Sequence, residues 1–259
     1  PSVRRRYLDI MLSQLDPVYL RSLSRYLRIV EQRNRLIKNL VQSGASWNAA
    51  ATRQQLDYWD GELINAGSSI LARRALASAE LTKLTSARFA SFTEESVLGV
   101  AYQSTVRSRM FEAPGTMTLE EVEHRLAYDM SETIDRERPQ EWRRGATLVG
   151  PHRDDLIVTI DGNPIGAYGS RGQQRLAVIA LKLAETDLMT STGADTPVLL
   201  LDDVFSELDV VHRGLLARSI SGASMQTIVT STDESVVRAA SIPLDRYATV
   251  DTGVIRWDD

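Results

Sequence analysis

Residues 197–209 read PVLLLDDVFSELD. Pro197 bounds four apolar residues, Val198 to Leu201, and the run stops at two adjacent carboxylates, Asp202 and Asp203. A short all-apolar run between a proline and charged residues predicts a strand buried on both faces, the habit of parallel strands in α/β proteins. Ligands of open α/β sheets sit beyond the carboxyl ends of the strands, so the two acids mark the expected site. Alternation along the strand sends their side chains apart. One carboxylate can then hold Mg²⁺ through water while the other orients or deprotonates an attacking water. The alternative is a pair of solvated turn acids that cap the next helix.

The surroundings follow the same pattern. A helix is predicted over 172–190, then the strand above, a helix after Asp209, the strand QTIVTS, a short helix after Asp233 and a hairpin in YATVDTGVIRW. Alternating helix and apolar strand predicts an α/β sheet covered by helices. Upstream, Leu23, Leu27, Val30, Ile37 and Val41 recur at three- and four-residue steps, with Asn34 filling one polar slot where it would set register. After QSGAS the stepping resumes at Leu56, Trp59, Leu63, Ala66, Ile70, Ala77, Leu81 and Leu84, with Arg74 as an exception. Together these predict an antiparallel helical hairpin with a coiled-coil-like seam. SVLGVAY (96–102) reads as a strand, and Thr118 with Glu121 as a capping box opening a helix that should end before Pro139. ATLVG, DLIVTI and PIGAY read as short strands, with a hairpin turn at DGN.

The stretch YGSRGQQRLAVIALKLAE (168–185) places Gly169, Ser170 and Gly172 just before a strong helix. Unpaired N–H groups and the positive dipole end of a helix favour an anion there, by about 0.3–1 kcal/mol per charge when exposed. Glycines let the backbone approach a bulky phosphate. A serine N-cap after a glycine loop is the plainer alternative.

Composition removes other chemistries. With no cysteine among 259 residues, disulfides and thiolate metal sites are excluded. No apolar run approaches the length of a membrane span, and no secretory leader is read at the start. A net charge of −4 argues against coating nucleic acid with the whole surface but allows a local basic face. Arg4, Arg5 and Arg6 form the densest basic cluster, and Arg21, Arg25 and Arg28 recur along one helical face. Both are candidate DNA-backbone contacts, although a solvated terminus explains the first equally well. His152 and Arg153, in GPHRDDL, are expected to brace a turn through an ion-pair network.

Taken together, YGSRGQQR, LLLDDVFSELD and IVTSTD resemble, in order, the signature loop, Walker B strand, D-loop and switch segment of an ABC-type ATPase head. More narrowly, PSVRRRYLD, YLRIVEQRNRLIK, GPHRDDL, GSRGQQRLAVIALKLAE and DDVFSELD resemble the RecF family, bacterial recombination-mediator ATPases related to SMC heads. The resemblance implies an α/β fold: a partial ABC/SMC-type head carrying an inserted helical-hairpin arm. A junction would occupy 1–20, the arm 21–138 and the C-terminal part of the head 139–259. It implies that Ser170, Arg171, Gly172 and Gln173 meet the γ-phosphate of ATP held by a partner subunit. Asp202 would serve Mg²⁺, Asp203 would be the hydrolytic carboxylate, and Asp209 would lie in the D-loop at the dimer interface. Thr232 stands where many ABC proteins place a switch histidine.

The same resemblance implies a cytoplasmic protein of DNA replication, repair and the SOS response. It would form an ATP-dependent homodimer on gapped DNA and help load RecA with RecO and RecR. No G-x-x-x-x-G-K-[ST] occurs here, and none of the three lysines follows a glycine. The phosphate cradle is therefore expected before Pro1, and the chain alone is expected neither to bind ATP tightly nor to hydrolyse it. Two other readings remain. One is a non-enzymatic scaffold of an SMC-like protein. The other is a metal-dependent phosphoesterase using Asp202, Asp203 and Asp233, disfavoured because no histidine sits near those carboxylates in sequence, though folding could supply one.

Overall fold

The computed structural model describes residues 3–112, 115–193, 196–221, 225–240, 242 and 244–258. Helix α1 (Val3–Leu15) leads into α2 (Pro17–Gln42). Asp16 caps α2 by accepting the Val18 N–H at 2.7 Å, with Pro17 supplying the first-turn geometry. The long α3 (Ala50–Ala90) returns antiparallel to α2. Tyr19 reaches Arg74, Arg33 reaches Asp60, and Ile37 clusters with Leu56.

The hairpin is as expected, but its seam is rotated. Tyr19, Tyr26, Val30, Arg33, Ile37 and Leu40 are buried, while Leu27 is 50% exposed and Val41 also faces outward. The reason is a buried polar network at the interface. Arg33 donates to Asp60, Glu141 and Thr147 at 2.6–2.8 Å, and a second guanidinium, Arg138, shares Asp60. Arg74, the exception in the α3 pattern, is fully buried and donates to Asp9, Tyr19, Tyr102 and the Pro151 carbonyl. Buried charges persist only when so paired. Asn34 does not set register along the seam; its side-chain oxygen accepts the N–H and hydroxyl of Thr147.

Strand β1 (Leu98–Gln103) pairs antiparallel with β2 (Asp155–Ile160), which turns at Asp161 and Gly162, both of positive φ, into the short β3 (Asn163–Pro164). Between them lies α4 (Leu119–Arg144), opened by the Thr118–Glu121 capping box. Contrary to expectation it runs through Pro139 and stops at the left-handed Gly145. The turn beyond the proline is held from outside, by Arg33 on Glu141 and by the Leu148 N–H on the same carboxylate. ATLVG is likewise not a strand. Side chains of Asn34, Glu141 and Thr105 take its N–H groups, so no ladder is needed. PIGAY is a helical turn, α5 (Ile165–Tyr168), rather than a strand.

Helix α6 (Arg171–Ser191), β4 (Leu199–Asp202), α7 (Val210–Ser221), β5 (Thr227–Thr230) and α8 (Glu234–Ala239) complete an α/β arrangement, with β4 and β5 parallel. The expected hairpin forms as β6 (Tyr247–Asp251) and β7 (Val254–Asp258). One apolar cluster joins α1 to α4; another joins α6, α7 and β4. Helices α3 and α6 contribute to both, so they act as shared struts.

The expectation that β4 is buried on both faces fails. Leu199 and Leu201 are buried, but Leu200 is 68% exposed and its neighbour Ile228 on β5 is 47% exposed. Among the described residues this sheet has only two strands, and the α6/α7 cluster takes only the Leu199/Leu201 side. No helix among the described residues is long and apolar enough to cross a membrane.

Candidate functional site

The N-terminus of α6 is held open by its own residues. Ser170 caps the helix by accepting the Gln173 N–H at 3.2 Å, and the Gln173 side chain accepts the Ser170 N–H at 2.9 Å. Gln173 also donates to Ser96 at 3.2 Å, and Gln174 donates to the carbonyls of Gly169 and Ile165. The Gln173 side chain is thus committed inside the chain. Among the described residues nothing occupies the N–H groups of Arg171 and Gly172, and Ser170, Arg171 and Gly172 are exposed.

The two glycines differ in kind. A Cβ at Gly169 would lie 2.7 Å from the Ile165 side chain and 2.8 Å from its carbonyl oxygen, so the turn itself demands glycine. A Cβ at Gly172 would meet only the Ser170 hydroxyl, at 3.9 Å. Nothing in the chain asks for glycine there, and the space it leaves open faces solvent. Free N–H groups, a dipole end, a hydroxyl and an open approach suit a phosphate.

Thr230 organises the second part, at the end of β4. Its hydroxyl donates to Asp202, while the Asp203 N–H donates to the Thr230 carbonyl at 3.1 Å and lies 3.2 Å from its hydroxyl oxygen. Asp203 adopts left-handed backbone, φ 51 and ψ 22, which costs a non-glycine residue about 1–2 kcal/mol. One of its carboxylate oxygens is buried without a hydrogen-bond partner. An unmade bond of that kind costs about 1–3 kcal/mol, and such strain gathers at functional sites. An exposed Asp202 beside a half-buried, under-bonded Asp203 is a donor set suited to a hydrated divalent cation and a polarised water. The turn is fixed from behind by the Arg213 side chain on the Phe205 carbonyl at 2.7 Å.

A groove of about 360 Å³ lies between the first turns of α6 and the turn that follows the acids, lined by Arg171, Gln174 and Arg175 on one side and Val204, Glu207 and Leu208 on the other. Arg175 clamps it by binding the Glu207 carboxylate at 2.9 Å and carbonyl at 3.1 Å. Ser170 and the two acids do not line it.

Asp209 caps α7, accepting the His212 N–H at 3.0 Å and meeting its ring at 2.6 Å; these bonds hold its carboxyl below the usual range. His212 was missed, although its three-residue spacing from Asp209 is legible. Thr232 is exposed and makes no side-chain bond among the described residues; Asp233 caps α8 through the Ser235 N–H. No group of three metal-binding side chains forms among the described residues, so Asp202, Asp203 and Asp233 are not gathered as the phosphoesterase reading requires. Arg4 pairs with Asp155 and Arg5 donates to the Asp154 carbonyl, tying α1 to the GPHRDDL turn; Arg6 is exposed. In that turn His152 bonds Tyr26 and the Thr147 carbonyl, which Arg153 also binds. Arg21, Arg25 and Arg28 share one exposed groove, apart from the acids.

No protein-family model matches the chain. It is 42% identical over 258 residues to the DNA replication and repair protein RecF of Thermomicrobium roseum, covering 95% of this chain and 63% of that protein. The chain belongs to the RecF family. RecF of Chloroflexus aggregans is 41% identical over 255 residues, covering 98% of this chain and 62% of that protein. A solved structure of the recombination mediator protein RecF-ATPrS in the RecFOR pathway superposes with a TM-score of 0.76 at 26% identity, over 99% of this chain and 63% of that one. A RecF-ATP structure gives a TM-score of 0.75 at 25% identity. The chain therefore spans somewhat under two thirds of the length of these RecF proteins.

Proposed function

We propose that this RecF-family chain is the signature-bearing part of an ATP-gated DNA replication and repair protein. In this reading the exposed α6 start, Ser170 to Gly172, closes on the γ-phosphate of ATP held by a second subunit. Asp202 serves Mg²⁺ and Asp203 positions the attacking water. When bound, Mg²⁺ would neutralise phosphate charge; the chain's own work is to hold the Asp202 carboxylate and the Asp203 backbone through Thr230 and to present bare N–H groups. ATP-dependent dimerisation on gapped DNA, with RecO, RecR and RecA as partners, belongs to the same proposal.

The observation that carries it is Gly172. It is a glycine with no steric cause in its own chain, standing at a bare helix start. The open face of β4 and β5 adds support. Covering what remains exposed of Leu200 and Ile228 would contribute about 1 kcal/mol each, and a P-loop-bearing unit packed there would bring a phosphate cradle to the acids.

The test is to join this chain to a RecF P-loop segment and measure self-association by light scattering. Association should require ATP and the joined segment together. ATP-independent dimers, or rapid Mg²⁺-dependent ATP turnover by the 259-residue chain alone, would count against the reading. The scaffold alternative predicts no response to ATP.

A further inference from the structure

An open groove of about 430 Å³ lies between α2 and α3, far along the chain from the acids. Leu20, Ile29 and Trp59 line it together with Arg21, Arg25 and Arg28. The arginines stand at i, i+4 and i+7, which aligns them along one side of α2. Arg25 is held across the groove by Glu62 at 2.6 Å, whereas Arg21 and Arg28 have no partner among the described residues. Leu20 is 49% exposed, and Leu27, one heptad further, is 50% exposed. Tyr58, also exposed, meets the Trp59 ring edge-on at 5.3 Å.

Two leucines a heptad apart, beside a row of three guanidinium groups of which the outer two are unpaired among the described residues, and a Trp–Tyr pair, form an unpartnered amphipathic face. Tryptophan, tyrosine and arginine dominate the energetic centres of protein interfaces. A nucleic-acid backbone would satisfy the arginines and leave both leucines in water. Base stacking in the groove would need a free aromatic face there; Trp59 is packed against the core, and Tyr58, though exposed, does not line the groove. A helix with apolar residues on one side and carboxylates flanking them satisfies all of these groups: apolar side chains cover Leu20, Leu27 and Trp59, and carboxylates take Arg21 and Arg28 in two-point fashion.

We propose that this groove docks an acidic amphipathic helix of a partner protein. The proposal does not depend on the nucleotide reading, since no residue is shared with the α6 turn or the β4 acids.

Three labelled probes test it by fluorescence anisotropy on the 259-residue chain: a leucine-heptad peptide flanked by glutamates, the same peptide with lysines in their place, and an oligo-dT strand. The variants are R21E/R28E and L20S/L27S, all at exposed positions, with circular dichroism confirming the fold. The glutamate peptide should bind, the lysine peptide should not, and each double variant should weaken binding by about tenfold or more. Absence of glutamate-peptide binding would overturn the proposal. So would oligo-dT binding that needs Arg21 and Arg28 but ignores the leucines, which would mark a nucleic-acid surface.

Discussion

Thr230 ties both acids at the end of β4, its hydroxyl donating to Asp202 and its oxygens receiving the Asp203 N–H. One residue of β5 therefore holds the carboxylate of Asp202 and the backbone of Asp203 that follows it. Thr230→Val keeps the shape and the backbone bond but removes the hydroxyl. The chain should lose no more than about 1 kcal/mol in urea unfolding. In a polypeptide that also carries a P-loop, ATP turnover should fall at least about tenfold. Unchanged turnover would show that Thr230 does not position the acids.

The two glycines of the α6 turn separate fold from function. Gly169→Ala pushes a Cβ against the Ile165 carbonyl and should destabilise by about 1–3 kcal/mol. Gly172→Ala enters open space and should leave the melting temperature unchanged or slightly higher, given alanine's helix preference. Thermal unfolding of both variants decides the matter. A Gly172→Ala chain as damaged as Gly169→Ala would mean that the glycine serves the fold after all.

His152 supplies a pH signature. Burial, aided by Arg153, Arg5 and Arg33, pushes its imidazole down to about 4, against the bond to the Thr147 carbonyl; Tyr26 faces its other nitrogen. The folded state keeps it neutral while the unfolded chain takes up a proton near pH 6.5. Its contribution is present above that value and is lost as pH falls toward about 4. The partial exposure of the ring limits the loss to roughly 1–3 kcal/mol. Urea titrations across that window should show His152→Gln with a flatter pH dependence than the parent; equal slopes would contradict it.

Local signals were legible in the sequence. Ser170 with Gln173 and Thr118 with Glu121 announce helix starts because capping is settled within four residues. The acids after Leu201 mark a strand end for the same reason. What stayed hidden depends on distant partners. The phase of α2 follows Arg33 and its acids, not the leucine count, and α4 passes Pro139 because Glu141 is gripped from α2. One-sided burial of β4 depends on how many strands join it, which no pattern within PVLLLDD encodes.

The most direct test of the nucleotide reading replaces Ser170 with aspartate in a polypeptide carrying both this chain and a P-loop. Aspartate is as good an N-cap as serine, so the capped fold should keep its melting temperature, while the added charge faces the incoming phosphate. ATP-dependent dimers should disappear in sedimentation velocity with stability unchanged. Dimers that form as before would mean that the α6 start does not meet a partner's nucleotide.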